Sequence, residues 1–109
     1  MEGPAYENIT ASRLKARLDA GDGPVLLDVR EPWEFQLARI EGSRLIPMSE
    51  LGQRFTELDP GAETVVICHH GNRSSFVTQA LQRVGFEKVW NLEGGLDAYS
   101  FVDESVPPY

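Results

Sequence analysis

The only cysteine of this 109-residue chain, Cys68, follows the apolar run Thr64-Val65-Val66-Ile67 and precedes His69-His70-Gly71-Asn72-Arg73-Ser74-Ser75. A lone thiol at the end of a buried strand, entering a Gly-containing turn and then a helix, is placed as a thiolate nucleophile. The helix predicted to begin around Arg73 to Ser75 would point its unsatisfied N–H groups, and about half a positive charge, back at the sulfur. Gly71 and Asn72 are the residues best able to take the left-handed conformations that curl a turn into an anion-binding nest. A free thiol with a pKa near 8.5 is only about 3% thiolate at pH 7. Lowering that pKa by about two units, worth about 2.7 kcal/mol, would make it roughly 75% thiolate. The helix N-terminus, Arg73 and the two histidines are the means available for such a shift. On these residues alone, phosphatase, reductase and peroxidase chemistry fit about equally.

The segments that must position the thiol alternate between β-type and α-type, which predicts an α/β fold with a central, mostly parallel sheet of about five strands and helices on both faces. Ile9-Thr10 opens the first helix, with Thr10 as N-cap and Ile9 and Leu14 as a hydrophobic staple; Gly21 and Gly23-Pro24 stop it. Val25-Leu26-Leu27-Asp28-Val29 reads as a buried parallel strand whose Asp28 needs a partner, and Arg30 is the nearest. Glu31-Pro32-Trp33 fits a helix start, and a short strand near Leu45-Ile46 ends at Pro47. Ser49 is expected to cap a helix carrying Leu51, Phe55 and Leu58 on one stripe. After the Cys68 turn, Phe76, Val77, Ala80, Leu81 and Val84 fall at helical spacing before Gly85. Lys88 to Leu92 reads as the last strand, followed by Gly94-Gly95 and a short helix through Tyr99. No linker or repeat interrupts the chain, so residues 1–109 are expected to form one domain, with a core from about 5 to 104 and a short irregular tail at 105–109.

A chain of this length removes roughly 65% of its unfolded surface from water, so it needs no staple. One cysteine makes no internal disulfide, and no basic-then-apolar segment opens the sequence, so a reducing, cytoplasmic setting is expected. No apolar stretch approaches a membrane span. A formal charge of -7, without a basic stripe, argues against nucleic acid. No metal is expected: adjacent His69 and His70 do not readily converge on one tetrahedral ion, and no second ligand pair accompanies them. They read as pocket-wall residues or solvent-exposed bystanders. Trp33, Phe35, Trp90 and Tyr99 read as core or rim packing, with Trp33 and Phe35 as candidates for the pocket mouth.

Three blocks together resemble the signature of single-domain rhodaneses: Asp28-Val29-Arg30-Glu31-Pro32-Trp33-Glu34-Phe35, Cys68-His69-His70-Gly71-Asn72-Arg73-Ser74, and Asn91-Leu92-Glu93-Gly94-Gly95-Leu96-Asp97-Ala98-Tyr99. The resemblance runs from about Ile9 to Tyr109. It implies a sulfurtransferase that takes a sulfane sulfur from thiosulfate or a persulfide donor, holds it as a Cys68 persulfide without any other cofactor, and passes it to cyanide or a thiol. Related phosphatases of the Cdc25 type have five residues between cysteine and arginine; here four, His69, His70, Gly71 and Asn72, separate Cys68 from Arg73, the sulfurtransferase count. A protein-to-protein persulfide relay, with a desulfurase loading Cys68 and a sulfur-carrier protein unloading it, or a recognition module without small-molecule turnover, is the other reading.

The resemblance implies that Cys68 attacks the outer sulfur of the donor and that the N–H groups of residues 69 to 73 hold the terminal sulfur, so His69, His70, Gly71, Asn72 and Arg73 are the expected substrate-binding set. Arg73 either binds the anionic donor or braces the turn against carbonyls and a carboxylate such as Asp28. Asp28 and Arg30 are expected to be a structural ion pair beneath the loop, with Ser74 in support. Two departures stand out: Ala38-Arg39-Ile40-Glu41-Gly42-Ser43 replaces a Gly-His-Ile-Pro-Gly-Ala-like stretch, and Tyr99 stands where tryptophan is common. Arg39 would add a cation near the site, which bears on the choice of acceptor.

Overall fold

The computed structural model describes residues 7–109, so the lower core boundary expected near residue 5 lies outside the described residues. Five strands form one sheet: β1 (Glu7–Ile9), β2 (Val25–Asp28), β3 (Arg44–Leu45), β4 (Thr64–Ile67) and β5 (Val89–Leu92). Their order is β1-β5-β4-β2-β3, and every pairing is parallel. The helices are α1 (Ala11–Asp19), α2 (Pro32–Leu37), α3 (Leu51–Arg54), α4 (Asn72–Arg83) and α5 (Gly95–Tyr99). Among the described residues no helix is long and apolar enough to cross a membrane.

The continuous apolar runs of β2 and β4 divide between two cores because successive side chains point to opposite faces. Leu26, Val65 and Ile67 join Leu14 of α1 and Leu96 of α5 on one face. Leu27, Val66 and Cys68 join Leu51 of α3 and Val77 and Leu81 of α4 on the other. The thiol is therefore packed on the α4 side. Thr10 caps α1 as expected, its Oγ1 accepting from the Arg13 N–H at 3.2 Å.

Register puts the site where it is. Asp28 of β2 pairs with Ile67 of β4, and the Val29 N–H donates to the Ile67 carbonyl at 3.0 Å, so both strands end level. The chain leaves β2 toward β3 on one side and leaves β4 toward β5 on the other. Connections that diverge in this way open a crevice at the carboxyl ends of the strands, the usual ligand position in open α/β sheets.

Four expectations change. The fifth strand, β1, precedes Thr10 in a segment that sequence periodicity left without an element; three residues pairing with one neighbour carry no readable alternation. Ser49 does not cap a continuous helix: a 3₁₀ turn at Met48–Glu50 leads into α3, and a second at Phe55–Glu57 follows it. On α4 only Val77 and Leu81 of the five spaced apolar residues are buried, while Phe76 and Val84 are exposed. Residues 105–109 lack regular structure as expected but pack closely, with Val106 buried in the α1/α5 core.

Candidate active site

Cys68 leaves β4 and the chain turns at Gly71, which caps α4 in the left-handed conformation with φ +99°. That turn aims donors at the sulfur. The Gly71 N–H lies 3.1 Å from Sγ and the Ser74 N–H 3.3 Å, and the Ser74 hydroxyl is a further partner at 3.2 Å. Of the N–H groups expected from residues 69 to 73, only that of Gly71 bonds the free cysteine sulfur, and the second donor is one residue further on. The first turn of α4 folds the Ser74 amide back over the thiol. Ser74 Oγ also bonds Asn91 Oδ1, and Asn91 Nδ2 donates to Asn8 Oδ1 at 2.9 Å, tying β4's loop to β5 and β1. Cys68 is buried, 1% exposed, with these donors packed against its sulfur.

The loop rests on α5. Gly95 has φ +62°, and a Cβ there would fall against the His69 carbonyl and 2.5 Å from the Cys68 carbonyl oxygen. The close approach lets the Leu96 and Asp97 N–H groups donate to the Cys68 and His69 carbonyls at 2.9 and 3.0 Å. The Gly94-Gly95 pair is thus explained by backbone contact with the cysteine loop.

Beneath lies the ion pair expected from sequence. Arg30 and Asp28 are both fully buried, with Arg30 Nη2 2.7 Å from Asp28 Oδ2. The remaining guanidinium donors reach the Glu34 carbonyl, the Ala38 carbonyl and the Tyr109 hydroxyl, so both ends of α2 are pinned to β2.

Arg73 braces the loop, but through a different carboxylate from the one expected. Asp28 spends both oxygens on Arg30. Arg73 instead forms a bidentate pair with Glu34, at 2.8 and 2.9 Å. Glu34 also closes a capping box with Glu31 at the start of α2 and accepts from the Tyr109 hydroxyl at 2.9 Å. The Arg73 guanidinium holds the Glu34 carboxyl down to about 2, against an ordinary 4.5, and Arg73 itself is raised by the same contact. Because the folded value lies below the unfolded one, this pair stabilises fully above about pH 4.5 and loses its contribution as pH falls toward 2. We expect Glu34→Gln to lower stability at pH 7 by on the order of 2 kcal/mol, discounted for the partial exposure of Arg73, and to flatten the acid limb. Urea unfolding at pH 7 and pH 3 checks this.

Tyr109 carries no signal in the sequence, standing at the end of a tail without periodicity. Its ring stacks on His69 with centroids 4.0 Å apart, and its hydroxyl bridges Arg30 and Glu34. Burial, its largest cause, pushes the phenol up to about 12. Tyr109→Phe keeps the stack and removes two hydrogen bonds to charged partners, which should cost about 2 kcal/mol in urea unfolding.

His69 is half-buried and stacks on the exposed His70, again at 4.0 Å. Burial, reinforced by the neighbouring imidazole, lowers the His69 pKa, so the ring is mostly neutral at pH 7. Donor atoms of His69, His70 and Asp97 lie within 4.8 Å of one another, a proximity that the sequence spacing does not reveal. The sequence expectation that no further ligand accompanies the two histidines therefore changes: Asp97, brought in by α5, is a third donor beside them. Asn72 is exposed at the first position of α4. Trp33 stands 61% exposed, and Phe35 lies beneath the Arg39 guanidinium at 4.7 Å; both stay outside the hydrogen-bonded frame around the sulfur. Glu34, Asn91, Gly95 and Tyr109 complete the frame. Of these, only the Glu31-x-x-Glu34 spacing and the double glycine carry a signal in sequence.

A family model described as Rhodanese-like domain matches residues 10–101. The chain belongs to the rhodanese-like domain family. This rhodanese-like domain is 36% identical over 78 residues to the thiosulfate sulfurtransferase GlpE of Ectopseudomonas mendocina, covering 72% of each chain. It is 35% identical over 114 residues to the adenylyltransferase and sulfurtransferase MOCS3-1 of Zea mays, covering 97% of this chain and 24% of that protein. A crystal structure of a rhodanese-related protein from Thermoplasma volcanium is similar with a TM-score of 0.80 and 34% identity, over 94% of this chain and 96% of that one. The domain spans between about a quarter and a half of the length of several curated relatives it matches.

Proposed function

We propose that the protein is a sulfurtransferase whose Cys68 carries a sulfane sulfur between a donor and a thiophilic acceptor. In the first half-reaction the Cys68 thiolate attacks the outer sulfur of thiosulfate or of a persulfide; the donor's S–S bond breaks, and sulfite or a thiolate leaves with the bonding pair. In the second, cyanide or a thiol attacks the outer sulfur of the Cys68 persulfide, and the cysteine departs as the thiolate. Electrons balance within each exchange, so the chemistry calls for no cofactor.

The observation that carries this reading is the convergence of the Gly71 and Ser74 N–H groups on the sulfur of Cys68, a buried residue. Donors fixed before the reaction stabilise anionic sulfur without reorganisation. The four-residue spacing to Arg73, whose guanidinium is occupied by Glu34, supports a nest for one small atom over a phosphate cradle. Likeness to a putative sulfur carrier protein of Bacillus subtilis, 35% identical over 88 residues, favours a second reading of the same site, in which Cys68 passes sulfur between proteins. Thiocyanate formation from a persulfide donor and cyanide, run beside hydrolysis of an aryl phosphate, tests the assignment. Thiocyanate without phosphate release is expected. Phosphate release that depends on Cys68, without thiocyanate, would reverse it.

A further inference from the structure

Resting on that sulfurtransferase reading, we propose that the site is built for an organic persulfide of low charge and disfavours the thiosulfate dianion. A compact dianion pressed against the loop needs an uncompensated cation; the two guanidinium groups bonded into this frame are both spent, and the third nearby, Arg39, lies over the Phe35 ring outside the frame. Arg73 is held bidentate by Glu34, a carboxylate ionised at any pH above about 2. Arg30 is closed off beneath the loop by Asp28. Of the two loop imidazoles, His69 is lowered and mostly neutral at pH 7, and the Asp97 carboxylate lies within 4.8 Å of the donor atoms of both His69 and His70. The chain as a whole carries a formal charge of -7, which repels a doubly charged donor on approach. What the loop does offer is two N–H groups, enough for one sulfur bearing a single charge.

The cysteine loop also carries aromatic rings, which suit an organic donor better than a sulfonate. The stacked rings of Tyr109, His69 and His70 form an aromatic surface continuous with the loop. The transfer then balances as Cys68–S⁻ plus R–S–SH giving Cys68–S–SH plus R–S⁻: the new bond joins Sγ to the outer sulfur, which keeps its proton, and the donor's thiolate leaves. The reacting donor is neutral, so the negative surface does not oppose it.

The test follows sulfur loading of the wild-type protein by intact mass, with thiosulfate or 2-hydroxyethyl persulfide as the probe, between low and moderate salt. Salt screens like-charge repulsion and equally screens attraction to a site cation, so the sign of the salt effect reads the local field. We expect thiosulfate loading to be slower than persulfide loading and to rise about threefold or more with salt, or to stay too slow to follow, while persulfide loading is unchanged. A thiosulfate rate that is flat or falls with salt would overturn the proposal, because an available cation would then be recruiting the dianion. Failure of both donors to load would instead overturn the sulfurtransferase reading, and this inference with it.

Discussion

Replacing Cys68 by serine should leave the fold in place and reduce thiocyanate formation by roughly a thousandfold or more, the scale seen when a covalent nucleophile is removed. Serine is nearly the shape of cysteine, and the site is already polar: the Gly71 N–H, the Ser74 N–H and the Ser74 hydroxyl all face the Sγ position. Thermal unfolding should therefore shift by only a few degrees. Reactivity is another matter. A serine hydroxyl is not ionised at neutral pH, and the groups bonded at that position, the Gly71 N–H, the Ser74 N–H and the Ser74 hydroxyl, include no ionised base to take its proton. Nor does a hard, neutral hydroxyl displace sulfite or a thiolate from a sulfane sulfur as a soft thiolate does. A variant that retained most of its turnover would mean that the sulfur is carried elsewhere.

Gly95→Ala should cost on the order of 3 kcal/mol and remove activity beyond what the stability loss accounts for. The added methyl would collide with backbone rather than with a flexible side chain, meeting the Cys68 and His69 carbonyls, and alanine is strained at φ +62° by about 1 kcal/mol or more. To relieve the collision α5 must retreat, breaking the bonds from the Leu96 and Asp97 N–H groups, each worth about 1 kcal/mol. Those bonds hold the carbonyl side of the cysteine turn whose N–H groups face the sulfur. Gly85 supplies the control: its φ is +103°, but a Cβ there has open space around it, so Gly85→Ala should show the strain alone and keep its activity. Urea midpoints and thiocyanate rates of the two variants separate the effects. Equal costs at the two positions would show that the approach of α5 to the loop is unimportant.

Much of the site is legible in the sequence because its parts are local. The run Thr64 to Ile67, the single glycine at 71 and the helical spacing after it place strand, turn and helix around Cys68 to within a residue or so, and the need of buried Asp28 for a partner two residues away is met by Arg30. What sequence did not reveal is set by pairing across the fold. Arg73 takes Glu34 because Asp28 is already saturated, a competition visible only once β2 and β4 end level. Tyr109 reaches the site across a long stretch of chain, from a tail with no periodicity to announce it. Asn91 looks like one more residue of a buried strand until the order β1-β5-β4 sets it between Asn8 and Ser74. Phe76 and Val84 show the converse: their helical spacing is apolar, yet α4 buries only the narrower stripe through Val77 and Leu81.

The central claim is that Cys68 holds one transferable sulfur atom in the nest closed by Gly71 and Ser74. Its most direct test is the intact mass of the protein after exposure to a persulfide donor, before and after cyanide. The account predicts a gain of one sulfur atom that cyanide removes and that Cys68→Ser never acquires. A protein that gains no sulfur, or whose serine variant gains it equally, would contradict the account.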